Sequence, residues 1–318
     1  MAEQALRLLM VHAHPDDEAV ATGGTLAKYS AQGARTILVT CTRGEEGEIV
    51  DEELRAQITG SAPSPEAAQE RLAEVRSKEL AAAVKELGIS RFYSLDYRDS
   101  GMAGTAANAH PRAFTNVTVA EAVARLIEIV RRERPQVMVS YNLVGGYGHP
   151  DHIMARRIAE LAFDGAGNTD VFPQQSDDTP AWQPLKFYET ANSRDHMRKM
   201  IQIAQEKGVE LLWGNQVIQQ EHAVLRGEPI DPENPQRPPW GVPQDAITTF
   251  IDIRAVLPQK LAALQAHRTQ AVSSNRFIGS MPTDFVRLAY GTEYYTLVRS
   301  RIPAMRPETD LFAGVFGD

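Results

Sequence analysis

Short apolar runs and amphipathic segments take turns along the first half of the chain, and this alternation limits the fold more than any other feature. Leu6–Val11, Thr36–Thr40, Phe92–Tyr97 and Gln136–Tyr141 are short runs of buried-strand type. Between them, Asp17–Gln32, Pro65–Leu87 and Val119–Arg134 space their apolar residues as helices do, with Gly33, Gly88 and Pro135 as stops. A further helix is predicted over Pro150–Phe163. The rhythm predicts parallel strands joined by right-handed crossovers, with helices on both faces. The expected fold is therefore α/β, with a Rossmann-like, mostly parallel sheet. Ligands of such sheets sit beyond the carboxyl ends of the strands, which directs attention to the residues after Val11, Thr40, Tyr97 and Tyr141.

The second half is less regular. Asp164–Gln183 reads as a loop, Leu185–Glu189 and Ile247–Ile253 as strands, and Asp195–Lys207 and Leu257–Thr269 as helices. Pro229, Pro232, Pro235, Pro238, Pro239 and Pro243 make the stretch 228–243 irregular, a candidate lid or contact surface. The expected division is a catalytic core over residues 1–170 and a smaller C-terminal lobe over 171–318 that walls one side of the site.

One short motif occurs twice. His14-Pro15-Asp16-Asp17-Glu18 follows the first strand and His149-Pro150-Asp151-His152 follows the fourth. Both are read as helix starts, with proline at the first helical position, where its missing N–H costs nothing. A single His-Pro-Asp is commonly no more than that. Two copies, each after an apolar strand of a parallel sheet, point to a site assembled from both. His14, Asp17 and His152 supply two imidazoles and a carboxylate, a set that suits Zn²⁺ and that Fe²⁺ shares. Asp16, next to a ligand but turned away from it, is placed to act as general base on an attacking water. His149 and Tyr147, the latter in the turn Gly145–Gly148, are placed to donate to a developing oxyanion.

Composition removes several rivals. With 33 basic and 41 acidic residues among 318, the net charge of −8 argues against a nucleic-acid partner. The lone Cys41 excludes a disulfide framework and a Cys-rich zinc module. As a nucleophile it is disfavoured by the neighbouring Glu45, Glu46 and Glu48, which raise a thiol's pKa. No glycine lies in Val11–Glu18, so the phosphate turn of a nucleotide-binding module is missing. No basic leader and no apolar run of membrane-spanning length is read, so a cytoplasmic protein without a membrane partner is expected. A non-catalytic scaffold remains as the bland alternative, and self-association stays open.

At the two motifs the sequence resembles the LmbE-like (PIG-L) family of zinc-dependent N-deacetylases. The likeness extends to Thr40-Cys41-Thr42, Gly44–Glu48, Arg98–Thr105, Ala266–Gln270 and Ser300–Gly314, and so covers most of the chain. The resemblance implies metal ligation by His14, Asp17 and His152, with Asp16 as base and His149 as acid or oxyanion donor, helped by Tyr147. It further implies that Arg76 and Asp99 hold sugar and inositol hydroxyls and that Met102 lines the same pocket. The implied substrate is a small amide bearing an amino sugar, such as an N-acetylglucosaminyl-inositol or -malate precursor of a thiol cofactor; a chitooligosaccharide is chemically reachable too. The related S-conjugate amidases are the alternative. Ala21, where those amidases carry lysine, and the Arg98–Thr105 loop favour a deacetylase, whereas the tail Ser300–Thr309 looks more amidase-like.

Overall fold

A computed structural model describes residues 5–60, 62–173, 179–208, 219, 241–270 and 283–316. The proline-rich stretch proposed as a lid lies almost wholly outside them. The first half folds as β1 (Arg7–His12), α1 (Asp17–Ala21), α2 (Gly23–Ala31), β2 (Arg35–Thr42), α3 (Glu52–Thr59), α4 (Pro65–Glu86), β3 (Arg91–Tyr97), α5 (Val119–Glu133), β4 (Val137–Ser140) and α6 (Pro150–Gly165). The second half adds β5 (Lys186–Ala191), α7 (Arg194–Lys207), β6 (Thr249–Asp252), α8 (Leu257–Ala266), α9 (Thr283–Tyr290) and β7 (Thr292–Ser300).

One seven-stranded sheet runs in the order β3-β2-β1-β4-β5-β7-β6. The first five of these strands are parallel, and β7 pairs antiparallel with both β5 and β6. Side-chain alternation builds a core on each face. Leu8 and Met10 enter the cluster that also holds Leu26 of α2, Leu80 of α4 and Leu264 of α8. Leu9 and Val11 enter the opposite one, with Val123 and Leu126 of α5 and Ile158 of α6. The expected boundary near residue 170 does not interrupt this sheet, since β5, β6 and β7 continue it.

Three elements were not foreseen. α3 sits in what reads as a charged loop, started by Asp51, whose side chain accepts from Leu54 N. α9 and β7 lie in the C-terminal stretch; β7 buries only every other residue, so its apolar signal is diluted by Glu293 and the threonines. The segment predicted as one helix over Asp17–Gln32 is two, broken at Thr22. The break has a tertiary cause. Glu293 of β7 accepts from Gly24 N (2.9 Å) and Thr25 N (2.8 Å), so a carboxylate 269 residues away in sequence caps the second helix.

Candidate active site

The strand order reverses between β1 and β4, from which the chain proceeds outward in both directions. At such a switch point the loops after the two strands diverge and leave a crevice. Both His-Pro-Asp motifs flank it.

After β4 the local sequence does most of the work. His149 caps α6, its Nδ1 accepting from Asp151 N at 3.1 Å, and Pro150 opens the helix. In the neutral ring that bond leaves the proton on Nε2, a donor free for the site. Burial, followed by the neighbouring His14 and His152, lowers the pKa of His149 to about 4, so the ring is neutral at ordinary pH. His152 Nδ1 lies 3.2 Å from the carbonyl of Gly145 and donates to it, which leaves the lone pair on Nε2. Gly145 is required there: its φ is +64°, and a Cβ would lie 2.8 Å from that of His152.

After β1 the arrangement differs from expectation. Pro15 is not the first helical residue; the helix begins at Asp17, and Asp16 precedes it with φ 125° and ψ −30°. A positive φ in a residue other than glycine is strained, by about 1–3 kcal/mol, and persists only where its surroundings impose it. Here they do. Arg76 of α4 donates to the carbonyl of Pro15, to Asp16 Oδ1 (3.1 Å) and to the carbonyl of Gly44 (2.7 Å). Gly44 has φ +69°, and a Cβ on it would approach the guanidinium carbon to 2.5 Å, so glycine makes room for that arginine.

The donor atoms of His14, Asp17 and His152 converge. His14 Nδ1 lies 3.2 Å from His152 Nε2 and 3.4 Å from Asp17 Oδ2, and His152 Nε2 is 3.5 Å from Asp17 Oδ1. Tetrahedral ligands at Zn–N distances near 2.0–2.1 Å sit about 3.3–3.4 Å apart, close to the spacing of the two ring nitrogens, while Asp17 faces them through different oxygens, Oδ2 toward His14 and Oδ1 toward His152. His14 Nε2 faces Asp151 Oδ2 at 3.2 Å and Asp99 Oδ1 at 3.5 Å, so a proton belongs on that side, and these carboxylates together with Asp17 outweigh burial and hold the pKa of His14 well above its ordinary value. Two imidazole nitrogens and a carboxylate thus confront one another, and with the His14 Nδ1 proton displaced they form a set that fits a cation. Two overlapping groups also lie within reach of a shared ion: His14 with His149 and His152, and His14 with Asp99 and Asp151. In the second, the carboxylates take up the far nitrogen of His14, which is how a metal-binding histidine is ordinarily oriented.

Electrostatics separates the two adjacent carboxylates. Burial would raise Asp17, but His152 and His14 outweigh it and hold its carboxyl well below the usual range. Asp16 is pushed up to about 6 by burial, with Arg76 opposing and Asp17 adding to the rise. Paired groups whose environments drive their pKa values apart mark an acid–base site. Cys41 is buried and its thiol raised, mainly by burial and then by Asp151, which removes it as a nucleophile.

Of the residues expected to touch substrate, Asp99 is buried, with its Oδ1 accepting from Gly101 N (2.8 Å). Met102 is exposed on the same loop, and Tyr147, partly exposed, sits with its ring 5.1 Å from that of His152. Arg76 is 2% exposed, and both its terminal nitrogens are taken by the protein, so its reading shifts from sugar contact to support of Asp16. Sequence reasoning missed Tyr141, whose hydroxyl donates to Asp17 Oδ2 (2.6 Å) and accepts from Ala13 N (2.7 Å). It also assigned nothing to Asp151 or Glu18, although both lie inside the motifs. His267 gave no local signal beyond its place in the resemblance.

A Rossmann-like sheet carries, at its switch point, a two-histidine, one-carboxylate cluster that could hold a metal ion, with a second carboxylate beside it. The comparisons narrow the reading. The family described as "PIG-L: GlcNAc-PI de-N-acetylase" matches residues 9–163. The 1D-myo-inositol 2-acetamido-2-deoxy-alpha-D-glucopyranoside deacetylase of Thermomonospora curvata is 41% identical, over 100% of this chain and 99% of that one. Its namesake in Geodermatophilus obscurus is 40% identical over 98% of each. The chain belongs to the PIG-L family of LmbE-like deacetylases. Among solved structures, the N,N'-diacetylchitobiose deacetylase of Pyrococcus horikoshii superposes with a TM-score of 0.56 at 19% identity, over 93% of this chain and 84% of that one. A 4-carboxy-2-hydroxymuconate hydratase from Pseudomonas putida gives the same score and identity, over 94% and 99%. Likeness at that level concerns the fold alone, and a hydratase on the same fold shows why the site has to carry the functional argument. Among the described residues, no helix is long and apolar enough to cross a membrane.

Proposed function

We propose that this protein is a metal-dependent N-deacetylase that removes the acetyl group from an N-acetylglucosaminyl-inositol or a closely similar amino-sugar glycoside. The observation that carries the chemistry is the convergence of His14 Nδ1, His152 Nε2 and the two oxygens of Asp17, with contacts of 3.2–3.5 Å. The substrate class rests on relatives that match the full chain and bear that deacetylase name. His14, Asp17 and His152 would hold the ion, with Zn²⁺ favoured by the donor set and Fe²⁺ sharing it. When bound, the ion acidifies water and polarises a carbonyl.

The chain's own groups do the rest. Asp16 accepts the proton of the water that attacks the acetamide carbon. His149, neutral and with Nε2–H free, donates to the carbonyl oxygen as it gains charge, and Tyr147 assists from the glycine turn. The C–N bond then breaks, the amine leaves with the proton Asp16 collected, and acetate remains: amide plus water gives ammonium and carboxylate. Asp99 and Met102 line the sugar side. Tyr141 and Asp151 orient the ligands through Asp17 and His14 respectively.

The amidase-like tail is accounted for without substrate. Glu308 accepts from Lys186 Nζ (2.6 Å), Tyr188 Oη (2.7 Å) and Thr249 Oγ1 (3.2 Å), all buried, so this part of the tail ties the end of the chain to β5 and β6. A direct test measures the free amine and the carboxylate released from N-acetylglucosaminyl-inositol, N-acetylglucosaminyl-malate, a chitooligosaccharide and a bulky thiol S-conjugate, with metal analysis of protein purified without added zinc. Acetate from the inositol glycoside is expected. Hydrolysis of the S-conjugate alone would replace this reading with that of an amidase.

A further inference from the structure

His267 takes no part in the chemistry above, yet it is fully buried and hydrogen-bonded toward the centre of the site. Its Nε2 donates to Glu18 Oε1 at 2.6 Å, across 249 residues of sequence, and both side chains are completely enclosed. The other oxygen of Glu18 accepts the main-chain N–H of Asp16 at 3.0 Å. Glu18 is thus a bridge with one oxygen on each side. It cannot swing away from Asp16 while His267 holds it, and it carries the contact from the C-terminal half to the backbone of the proposed base.

The histidine is itself fixed. It follows α8, and two residues later Thr269 donates through N and Oγ1 to the two oxygens of Glu79, at 2.8 and 2.6 Å. Glu79 lies one helical turn beyond Arg76 on α4, and both are buried. That one helix therefore supports Asp16 by two routes. Arg76 grips the Pro15 carbonyl and the Asp16 carboxylate directly; Glu79 anchors the turn that presents His267 to Glu18. The grip falls on a residue with φ 125°, a conformation that its own local sequence does not favour.

We propose that His267 is a positioning residue for Asp16: by holding Glu18 against the Asp16 N–H, it keeps the base in its strained, productive orientation. This rests on the deacetylase reading, in which Asp16 is the base. The C-terminal half then contributes to the rate as well as to the walls of the pocket. Misplacement of a reacting group by about 1 Å costs on the order of 100-fold in rate, which sets the scale of the effect.

The test compares His267→Met, which fills the space without a donor, with His267→Gln, whose amide N–H reaches Glu18. Both are assayed as metal-loaded full-length protein on N-acetylglucosaminyl-inositol, with kcat, KM and metal per chain measured separately and a crystal structure of the Met variant. His267→Met should lose about 100-fold in kcat, with KM within about threefold and metal unchanged, while His267→Gln recovers to within about tenfold of wild type. Asp16 should leave its positive φ in the Met crystal. A Met variant retaining kcat within about threefold of wild type overturns the proposal. So does a Gln variant that is folded and metal-loaded but about 100-fold slower than wild type, a criterion that stands even if the Met variant does not fold. Should wild type release no acetate from any amino sugar, the deacetylase reading falls. The crystal structure then still decides the wiring, because an unmoved Asp16 overturns it without reference to turnover.

Discussion

The His-Pro-Asp after β1 and the His-Pro-Asp after β4 are the same three residues in the same topological setting, and they fold differently. The second is a helix start set by its own residues: His149 caps and Pro150 opens the helix. The first is an imposed turn in which Asp16 has φ 125° and the helix starts two residues after the proline. Its shape depends on Arg76 of α4 and on Glu18, which His267 braces from the C-terminal half. The difference matches the tasks. The second motif presents His149 and His152 from a helix terminus that is already stable. The first must turn Asp17 toward the cluster and Asp16 elsewhere, which consecutive positions of a regular helix start do not provide on their own. A short motif specifies side chains; its backbone is specified by whatever packs against it.

The largest effect expected across this pair is shared by both halves. His14→Ala and His152→Ala should each lose bound metal, by elemental analysis, and drop acetate release to background; metal retained by either variant would break the idea of one joint cluster. Next, Asp16→Asn should keep its metal yet lose about 10²–10⁴-fold in kcat, since the amide accepts no proton; turnover near wild type would remove Asp16 as base. Asp151→Asn, on the second motif, should weaken metal binding by about 10–100-fold, because Asp151 orients His14 on the first. A competition titration with a chelator reads this, and unchanged affinity would mean the motifs support themselves separately. The smallest effect is in stability. Asp16→Gly should exceed Asp16→Ala by about 1–2 kcal/mol in denaturant unfolding, whereas Pro150→Ala should cost less than about 1 kcal/mol. Equal stability of the two Asp16 variants would say the first turn is not strained at all.

Much of the fold could be read directly. β1, β2 and β4 are apolar on both faces because helices cover both faces, and such strands announce themselves. α4 begins at Ser64-Pro65, where Ser64 Oγ accepts from Ala67 N, a start signal visible in the letters. β7 was not legible because it is half-buried, and the break between α1 and α2 was not because its cap, Glu293, arrives from β7. At the site, His14, Asp16, Asp17, His149 and His152 stand out by residue type and position after strands, whereas Asp151, inside the second motif, does not. Tyr141, which sets Asp17, is one aromatic among many at a strand end. Arg76 looked like a solvated or substrate-facing charge because a basic residue on a polar helix usually is one; nothing local says that it points at the Pro15 carbonyl.

The sequence by itself determined the parallel α/β core, the two loops that form the candidate site and the identity of the converging groups. Hydrophobic periodicity, proline placement and ligand type are properties of near neighbours along the chain. Only the tertiary structure decided the backbone of Asp16, the partners of the His14 and His152 ring nitrogens, the duty of Arg76 and the reach of His267. Each of those is set by a hydrogen bond or a packed contact between residues far apart in sequence. Such a partner exists for a side chain only once the sheet has brought the two ends of the chain together.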